Sequence, residues 1–349
     1  MATSVANYAL AAKIKAMYGK RLSPQNYKEL LRKQTVNEVA AYLKQQTSYS
    51  TLLSDINENL IHRGQLENIL KKLFFDEYIK MFFYVKQDER KFYDFIIIQM
   101  ELDEILSCIR YLNAGRMGEY IFSLPSFFVK HSNIDINGLA KVRNFQDLQD
   151  LLNGTPYYDI LKQFEQTNDN KSDTIKIEID FKRYYYNKIF SIINSSFSGK
   201  TKAEISKSFE MEIDLENLML IMRLKRYFNS SNQYITNLLL PYNFKVSKDE
   251  INKILQETDI ASIKKAIFDT YYGKIFKKYD FEFIEKYGQQ ASFEYHKKLL
   301  RFSTDSPALV VSFMQLKRIE LNNIINIIEG IRYALPAAEI SKLLIGTEE

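Results

Sequence analysis

The chain has 349 residues, of which 46% are apolar and 26% are charged, as is usual for a soluble globular protein. Its net charge of +5 is small for this length and is not concentrated in a basic stripe, so we expect no nucleic-acid binding. The single cysteine, Cys108, excludes an internal disulfide and favours a reducing compartment. With only 11 glycines and 6 prolines, the composition favours a large helical protein.

The first 28 residues contain no acidic residue and superficially resemble a transit peptide. Arginine is scarce in this segment, and its pattern continues directly into the first repeat described below, so we interpret it as a structural helix. No segment approaches the roughly 20 consecutive apolar residues that a helix needs to cross a bilayer.

A helical unit occurs three times in the sequence. Residues 23–43, 132–152 and 247–267 align with one another without gaps. Apolar residues recur in each copy at spacings of three and four, the period of an amphipathic helix. A serine opens each copy and is predicted to cap a first helix, and twelve residues later a second polar residue is predicted to cap another. The predicted caps are Ser23, Ser132 and Ser247 for the first helix and Thr35, Asn144 and Asp259 for the second.

A tyrosine closes each copy of this tandem-helix block, at Tyr49, Tyr158 and Tyr272. We interpret these tyrosines as core residues with a hydrogen-bonded hydroxyl, in preference to a role in binding a partner.

A second block, with the pattern acid-Leu-x-x-Ile/Leu, also occurs three times and begins at Glu101, Asp214 and Glu320. We expect each acid to lie in the first turn of a helix, where it would favour the helix dipole. Arg110 and Arg223 then occupy matching positions, whereas the third copy has Glu329 there.

The two blocks define three repeat units, 1–116, 117–229 and 230–349. Because each exceeds the roughly 20–50 residues of a solenoid repeat, we predict three similar helical domains. Residues 66–113 lack glycine and proline and predict one long or two consecutive helices, and the polar segment 167–173 predicts a surface loop.

The sequence contains no phosphate-binding glycine loop, no nucleophile elbow and no helix-borne metal pair. Its three histidines, His62, His131 and His296, are far apart, with no second ligand at a metal-binding spacing. We therefore expect no cofactor and no metal, and we favour a scaffold over an enzyme.

Over nearly its whole length the chain resembles the C subunit of bacterial and archaeal V/A-type ATPases, which is similar to the d subunit of eukaryotic V-type ATPases. The resemblance rests on Asn7-Tyr8-Ala9 leading into Lys13-Ile14-Lys15-Ala16-Met17, on the tandem-helix block with Leu43 and Tyr49, and on the acid-Leu helices that end near Arg110 and Arg223.

This resemblance implies an all-α, funnel-shaped protein whose three similar domains surround a pseudo-threefold axis and a central cavity. In that family the subunit is a non-catalytic rotor component, peripheral to the membrane on its cytoplasmic face. One face rests on the membrane ring of proteolipid subunits, and the cavity receives the base of the central stalk. The subunit thereby transmits torque for the transport of protons or sodium ions.

Polar residues of the second block are our candidates for contacts with these partners, and we predict that they face the central cavity. An ordinary solvated helix face is the alternative. Two other classes of function remain open: a helical adaptor that binds a partner helix in a groove, and an enzyme whose site assembles across the units. The candidate residues are Glu101, Arg110, Asp214, Arg223 and Glu320.

Overall fold

The computed structural model describes residues 2–85, 89–121, 124–164, 173–281, 283 and 285–347. All regular elements in these ranges are helices and none is a strand, which confirms the predicted all-α fold class. None of the helices described combines the length and the apolar character required to span a bilayer. The predicted loop at 167–173 lies outside the described residues, apart from Asp173.

The helices follow one another with short connections, and one 3-10 helix, Ser126–Phe128, lies between α7 and α8. In chain order they are α1 Ala2–Tyr18, α2 Pro24–Leu31, α3 Val36–Gln46, α4 Arg63–Phe82, α5 Arg90–Tyr93, α6 Phe95–Asn113, α7 Met117–Tyr120, α8 Ile136–Leu139, α9 Phe145–Leu151, α10 Pro156–Leu161, α11 Thr174–Ser196, α12 Gly199–Phe228, α13 Asn232–Leu238, α14 Lys248–Gln256, α15 Ile260–Phe268, α16 Gly273–Phe276, α17 Glu285–Phe302, α18 Ser306–Arg332 and α19 Ala337–Ser341.

The chain divides into two compact units. The first contains Met1–Arg63, Lys80–Val85 and Phe197–Glu349, and the second contains Gly64–Ile79 and Lys86–Ser196. This division does not test the three repeat units predicted from the sequence, and those units stay a prediction.

In the first unit the long helix α18 packs against α1, α3, α12 and α17. Asp305 caps this helix by accepting a hydrogen bond from the backbone N–H of Ala308, and Pro307 lies in its first turn, where a missing N–H costs nothing. The following residues from Ala308 to Val311 are all fully buried. A helix buried around most of its circumference must be apolar on several faces, which explains this uninterrupted run.

In the second unit α6 packs against α5, α7, α8 and α11. Its buried face includes Ile105, Ile109 and the free thiol of Cys108. Burial raises the pKa of Cys108 to about 12, so the thiol stays protonated and behaves as a small apolar group. The segment 66–113 forms α4, the short α5 and α6 instead of one or two helices.

The tandem helices have the predicted caps in the first and third copies. Ser23 caps α2 and Ser247 caps α14, each in a reciprocal capping box that is completed by Asn26 or Glu250. All three second-helix caps are confirmed: Thr35, Asn144 and Asp259 each accept the backbone N–H of the residue three positions ahead.

The prediction for Ser132 is wrong. Asp135 caps α8 by accepting the N–H of Gly138, because α8 begins four residues after the serine instead of one. The Ser132 hydroxyl instead donates a hydrogen bond to the carboxylate of Glu101.

The expected first-turn position of the repeated acids is also wrong. The helices α6, α12 and α18 begin at Phe95, Gly199 and Ser306, so Glu101, Asp214 and Glu320 lie well inside them. An acid inside a helix gains little from the dipole, so its position needs another explanation.

Candidate functional site

Glu101 lies on α6 in the second unit and is fully buried. Its Oε1 accepts hydrogen bonds from the Ser132 hydroxyl at 2.9 Å and from the Asn133 side-chain amide at 3.1 Å, and also from the backbone N–H of Asn133. Its Oε2 accepts the hydroxyl proton of Tyr157. Burial beside this carboxylate raises the pKa of Tyr157 well above its usual range, so the phenol stays a donor.

Asp214 lies on α12 in the first unit and is 2% exposed. Its Oδ1 accepts the N–H of Phe244 at 3.0 Å, and its Oδ2 accepts the N–H groups of Lys245 and Val246 at 2.6 and 3.1 Å. The Tyr272 hydroxyl donates to Oδ2 at 3.0 Å. Burial raises the pKa of Asp214, and these donors oppose that increase because they stabilise the charged form.

Glu320 lies on α18 in the first unit and is 6% exposed. Its Oε2 accepts the backbone N–H of Leu22 at 2.7 Å, and its Oε1 accepts the Tyr49 hydroxyl at 2.7 Å. Lys317 is also buried and donates to the same Oε1 at 2.8 Å, so this carboxylate has a charged partner. The Lys317 ammonium lies 4.7 Å from the centroid of the Tyr49 ring, a distance typical of a cation–π contact.

The three acids share one arrangement. Each carboxylate accepts at least one backbone N–H from the segment that precedes or opens a tandem-helix block. Each also accepts the hydroxyl proton of the tyrosine that closes the same block. Glu101 of the first copy thus binds the second block, Asp214 of the second copy binds the third, and Glu320 of the third copy binds the first. Hydrogen bonds to a charged acceptor contribute about 1.5–3 kcal/mol each, so these contacts hold the tandem blocks in place.

The donors described for these three carboxylates all belong to this chain. Because a buried carboxylate requires such donors, a partner protein would reach Glu101, Asp214 or Glu320 only after these contacts opened.

Arg110 and Arg223 occupy different environments despite their matching sequence positions. Arg110 is exposed near the end of α6. Arg223 is half-buried on α12, and its Nε makes no hydrogen bond within the described part of the chain. In the third copy, Glu329 forms ion pairs with Arg63 and Arg332. The third copy therefore has an internally paired carboxylate where the others have a cation.

The tyrosine prediction holds for two copies and is shifted by one residue in the other. Tyr49 and Tyr272 are buried with hydrogen-bonded hydroxyl groups, as predicted. In the second copy the buried tyrosine is Tyr157, and the predicted Tyr158 is half-exposed. Two adjacent tyrosines gave the sequence alignment no basis for choosing between them, whereas only one can point toward Glu101.

Asn217 and Asn323, three positions after Asp214 and Glu320, have a role that was not predicted from the sequence. The Asn217 side chain donates to the carbonyl of Leu240 and accepts its N–H, at 3.0 and 2.8 Å. Asn323 makes the same pair of bonds with Ile345, at 2.8 and 2.9 Å. Each amide thus satisfies both the N–H and the carbonyl of one residue outside the helices. The sequence signal that could have indicated this role is an asparagine at the same position of two repeats.

His296 forms the arrangement in the first unit that most resembles an enzyme site. Its Nδ1 lies 3.2 Å from the Ser312 hydroxyl and its Nε2 lies 3.3 Å from Oε1 of Glu212, which resembles a serine–histidine–acid triad. Both His296 and Ser312 are 0% exposed, so no substrate can approach the hydroxyl. We interpret the three residues as a polar contact that satisfies a buried imidazole.

Comparison with known proteins identifies the family. The model of the family described as ATP synthase (C/AC39) subunit matches residues 10–343. The C subunit of the A-type ATP synthase from Methanosphaera stadtmanae is 22% identical over 351 residues, which cover 96% of this chain and 86% of the relative. The same protein of Archaeoglobus fulgidus is 22% identical over 350 residues, which cover 96% and 95%. That of Methanocaldococcus jannaschii is 22% identical over 361 residues, which cover 99% and 88%.

These matches extend over nearly the whole chain and include all three copies of both repeated blocks. They confirm the resemblance that the sequence motifs indicated: the chain belongs to the ATP synthase (C/AC39) subunit family.

Proposed function

We propose that this protein is a non-catalytic rotor subunit of a V/A-type rotary ATPase. In this role it couples the central stalk to the membrane ring of proteolipid subunits and lies at the cytoplasmic face of the membrane. The observation that carries the proposal is the family match over residues 10–343. That match favours a rotary ATPase subunit over a helical adaptor unrelated to such complexes.

The carboxylate contacts suit a part that transmits torque, because a torque-bearing element must not yield internally. Each long helix that carries a repeated acid is bonded to the tandem block of another copy, and Glu320 joins the third copy to the first through Leu22 and Tyr49. These contacts follow one order along the chain, from the acid of each copy to the tandem block of the next copy.

We propose that Arg110 and Arg223 contact acidic groups of the stalk or ring subunits. Guanidinium groups bind carboxylates through two parallel hydrogen bonds, which gives both energy and a fixed geometry. Arg110 is exposed, and Arg223 is partly exposed. Both features support this assignment over that of the three buried acids.

The test is a pull-down from detergent-solubilised membranes with the tagged wild-type chain and an Arg110→Glu/Arg223→Glu double variant. We expect the wild type to recover stalk and proteolipid subunits and the double variant to recover much less of them. A Lys28→Glu/Lys130→Glu variant makes the same change of charge at two exposed positions and controls for nonspecific electrostatics. Equal recovery by all three proteins would refute the arginine assignment, and recovery of unrelated proteins alone by the wild type would refute the rotor assignment.

A further inference from the structure

A cavity of about 440 Å³ lies between α17 and α18 in the first unit. Besides apolar residues, its lining contains two cationic side chains, one carboxylate and several side-chain amides. This composition is unlike that of the apolar pockets that usually bind drug-sized ligands. The polar residues of this lining include Lys286, Arg318, Glu285, Gln289, Asn322 and Asn326.

Lys286 is the most unusual group in this lining. It lies in the first turn of α17, is only 7% exposed, and has no hydrogen-bond or ion-pair partner among the described residues. Burial lowers the pKa of its ammonium to about 8, because desolvation disfavours the charged form. Buried lysines are normally paired, so an unpaired ammonium at a cavity wall favours an anion in that cavity.

The N-terminal end of α17 also acts on Lys286, and Glu285 in the same turn offsets part of its effect. Helix N-termini carry a partial positive charge, and Lys286 lies within the first turn, where that effect is largest. The position therefore disfavours the ammonium further and favours an anion beside it.

We propose that this cavity binds a small anion of the carboxylate or phosphate class, with the Lys286 ammonium as its main counter-charge. The side-chain amides of Gln289 and Asn322 offer N–H donors along the same wall, and the guanidinium of Arg318 adds a second positive charge to the lining. Glu285 carries the only carboxylate in the described lining and limits its formal charge to +1 at pH 7, which favours an anion of low charge. The proposal does not depend on the rotor assignment.

Calorimetric titration of the purified full-length chain tests the site, with inorganic phosphate and with glutamate as probes at constant ionic strength. We expect saturable binding of one anion for at least one probe. Lys286→Met keeps an unbranched side chain one atom shorter and removes the charge, and loss of a buried charge pair should weaken binding by at least about tenfold. Lys298→Met makes the same change at an exposed position of α17 and should leave the affinity unchanged.

Proton uptake on binding provides a second measurement that a purely structural role would not change. At pH 8 about half of the Lys286 side chains are uncharged, so binding of an anion should take up roughly half a proton per site. Titrations in two buffers of different ionisation enthalpy measure this uptake, which should be absent in Lys286→Met. The proposal is overturned if neither probe binds saturably to the folded wild type, or if Lys286→Met, with an unchanged circular dichroism spectrum, binds as well as the wild type.

Discussion

The Tyr49 hydroxyl lies 2.7 Å from Oε1 of Glu320, although 271 residues separate the two in the chain. This hydrogen bond joins the first tandem-helix block to the last long helix. The pairs Tyr157–Glu101 and Tyr272–Asp214 have the same relationship between an acid and the tyrosine that closes a block. The chain therefore repeats a tertiary contact as well as a sequence pattern.

We predict that Tyr49→Phe lowers the free energy of unfolding by about 1–3 kcal/mol, because a buried carboxylate oxygen loses a donor while the ring stays in place. Urea unfolding followed by circular dichroism measures the change. Lys317 still donates to the same oxygen, so the loss should lie toward the lower end of that range. Tyr158→Phe removes a hydroxyl from a half-exposed ring and should change the stability by less than about 0.5 kcal/mol. Equal effects of the two substitutions would contradict the structural role of the Tyr49–Glu320 bond.

Asp214 provides the clearest test of whether a buried carboxylate holds a tandem-helix block in place. In Asp214→Asn an NH2 group replaces one carboxylate oxygen. Some of the N–H groups that bind this oxygen then face another donor and lose their acceptor. Three backbone donors and one hydroxyl point at this residue, and we expect a loss of about 2–4 kcal/mol in the free energy of unfolding. Asp249→Asn, an exposed change in the same unit, is the matched control. If the two variants unfold at the same urea concentration, Asp214 does not hold the third block.

The repeated helices could be predicted because their signals are local. Apolar spacing and N-cap residues depend on a few neighbouring positions, and the caps at Thr35, Asn144 and Asp259 were found in this way. The role of the acids could not be predicted, because an acid on a helix looks the same in sequence whether it is solvated or buried. Glu101, Asp214 and Glu320 are recognised as buried acceptors only when donors from distant segments are placed beside them.

The second copy shows a further limit of the sequence. Ser132 aligns with two true caps, but the chain turns so that Asp135 caps the helix and Ser132 binds Glu101. Serine and aspartate are about equally good caps, so tertiary packing decided between them.

We predict that Asn323→Ala destabilises the protein by about 2–4 kcal/mol, since it removes two hydrogen bonds and leaves the buried N–H and carbonyl of Ile345 without partners. The neighbouring Asn322→Ala changes an exposed side chain of the same helix and should have little effect. Hydrogen exchange gives a local measurement, because the Ile345 amide should lose protection in Asn323→Ala alone. Unchanged protection of that amide would show that Asn323 does not hold the C-terminal segment.

Lys286 makes the stability depend on pH in a defined direction. Its pKa is lowered from 10.5 to about 8 in the folded protein, so between these values the unfolded chain binds more protons on this residue than the folded chain does. The free energy of unfolding therefore increases as the pH rises from about 8 to 10.5. Below pH 8 the full cost of burying the ammonium destabilises the folded protein. We expect Lys286→Met to be more stable than the wild type at pH 7 by about 2–3 kcal/mol and to lose this advantage above pH 10.

Urea unfolding of both proteins at pH 7, 8, 9 and 10, without phosphate or carboxylate buffers, measures this difference. Tyrosine ionisation affects the wild type and Lys286→Met alike and cancels in the comparison. Lys298→Met should show no pH-dependent difference from the wild type, since that lysine is exposed. A stability difference that is independent of pH would mean that Lys286 is uncharged or paired at neutral pH, and the anion proposed for the cavity would then have no counter-charge.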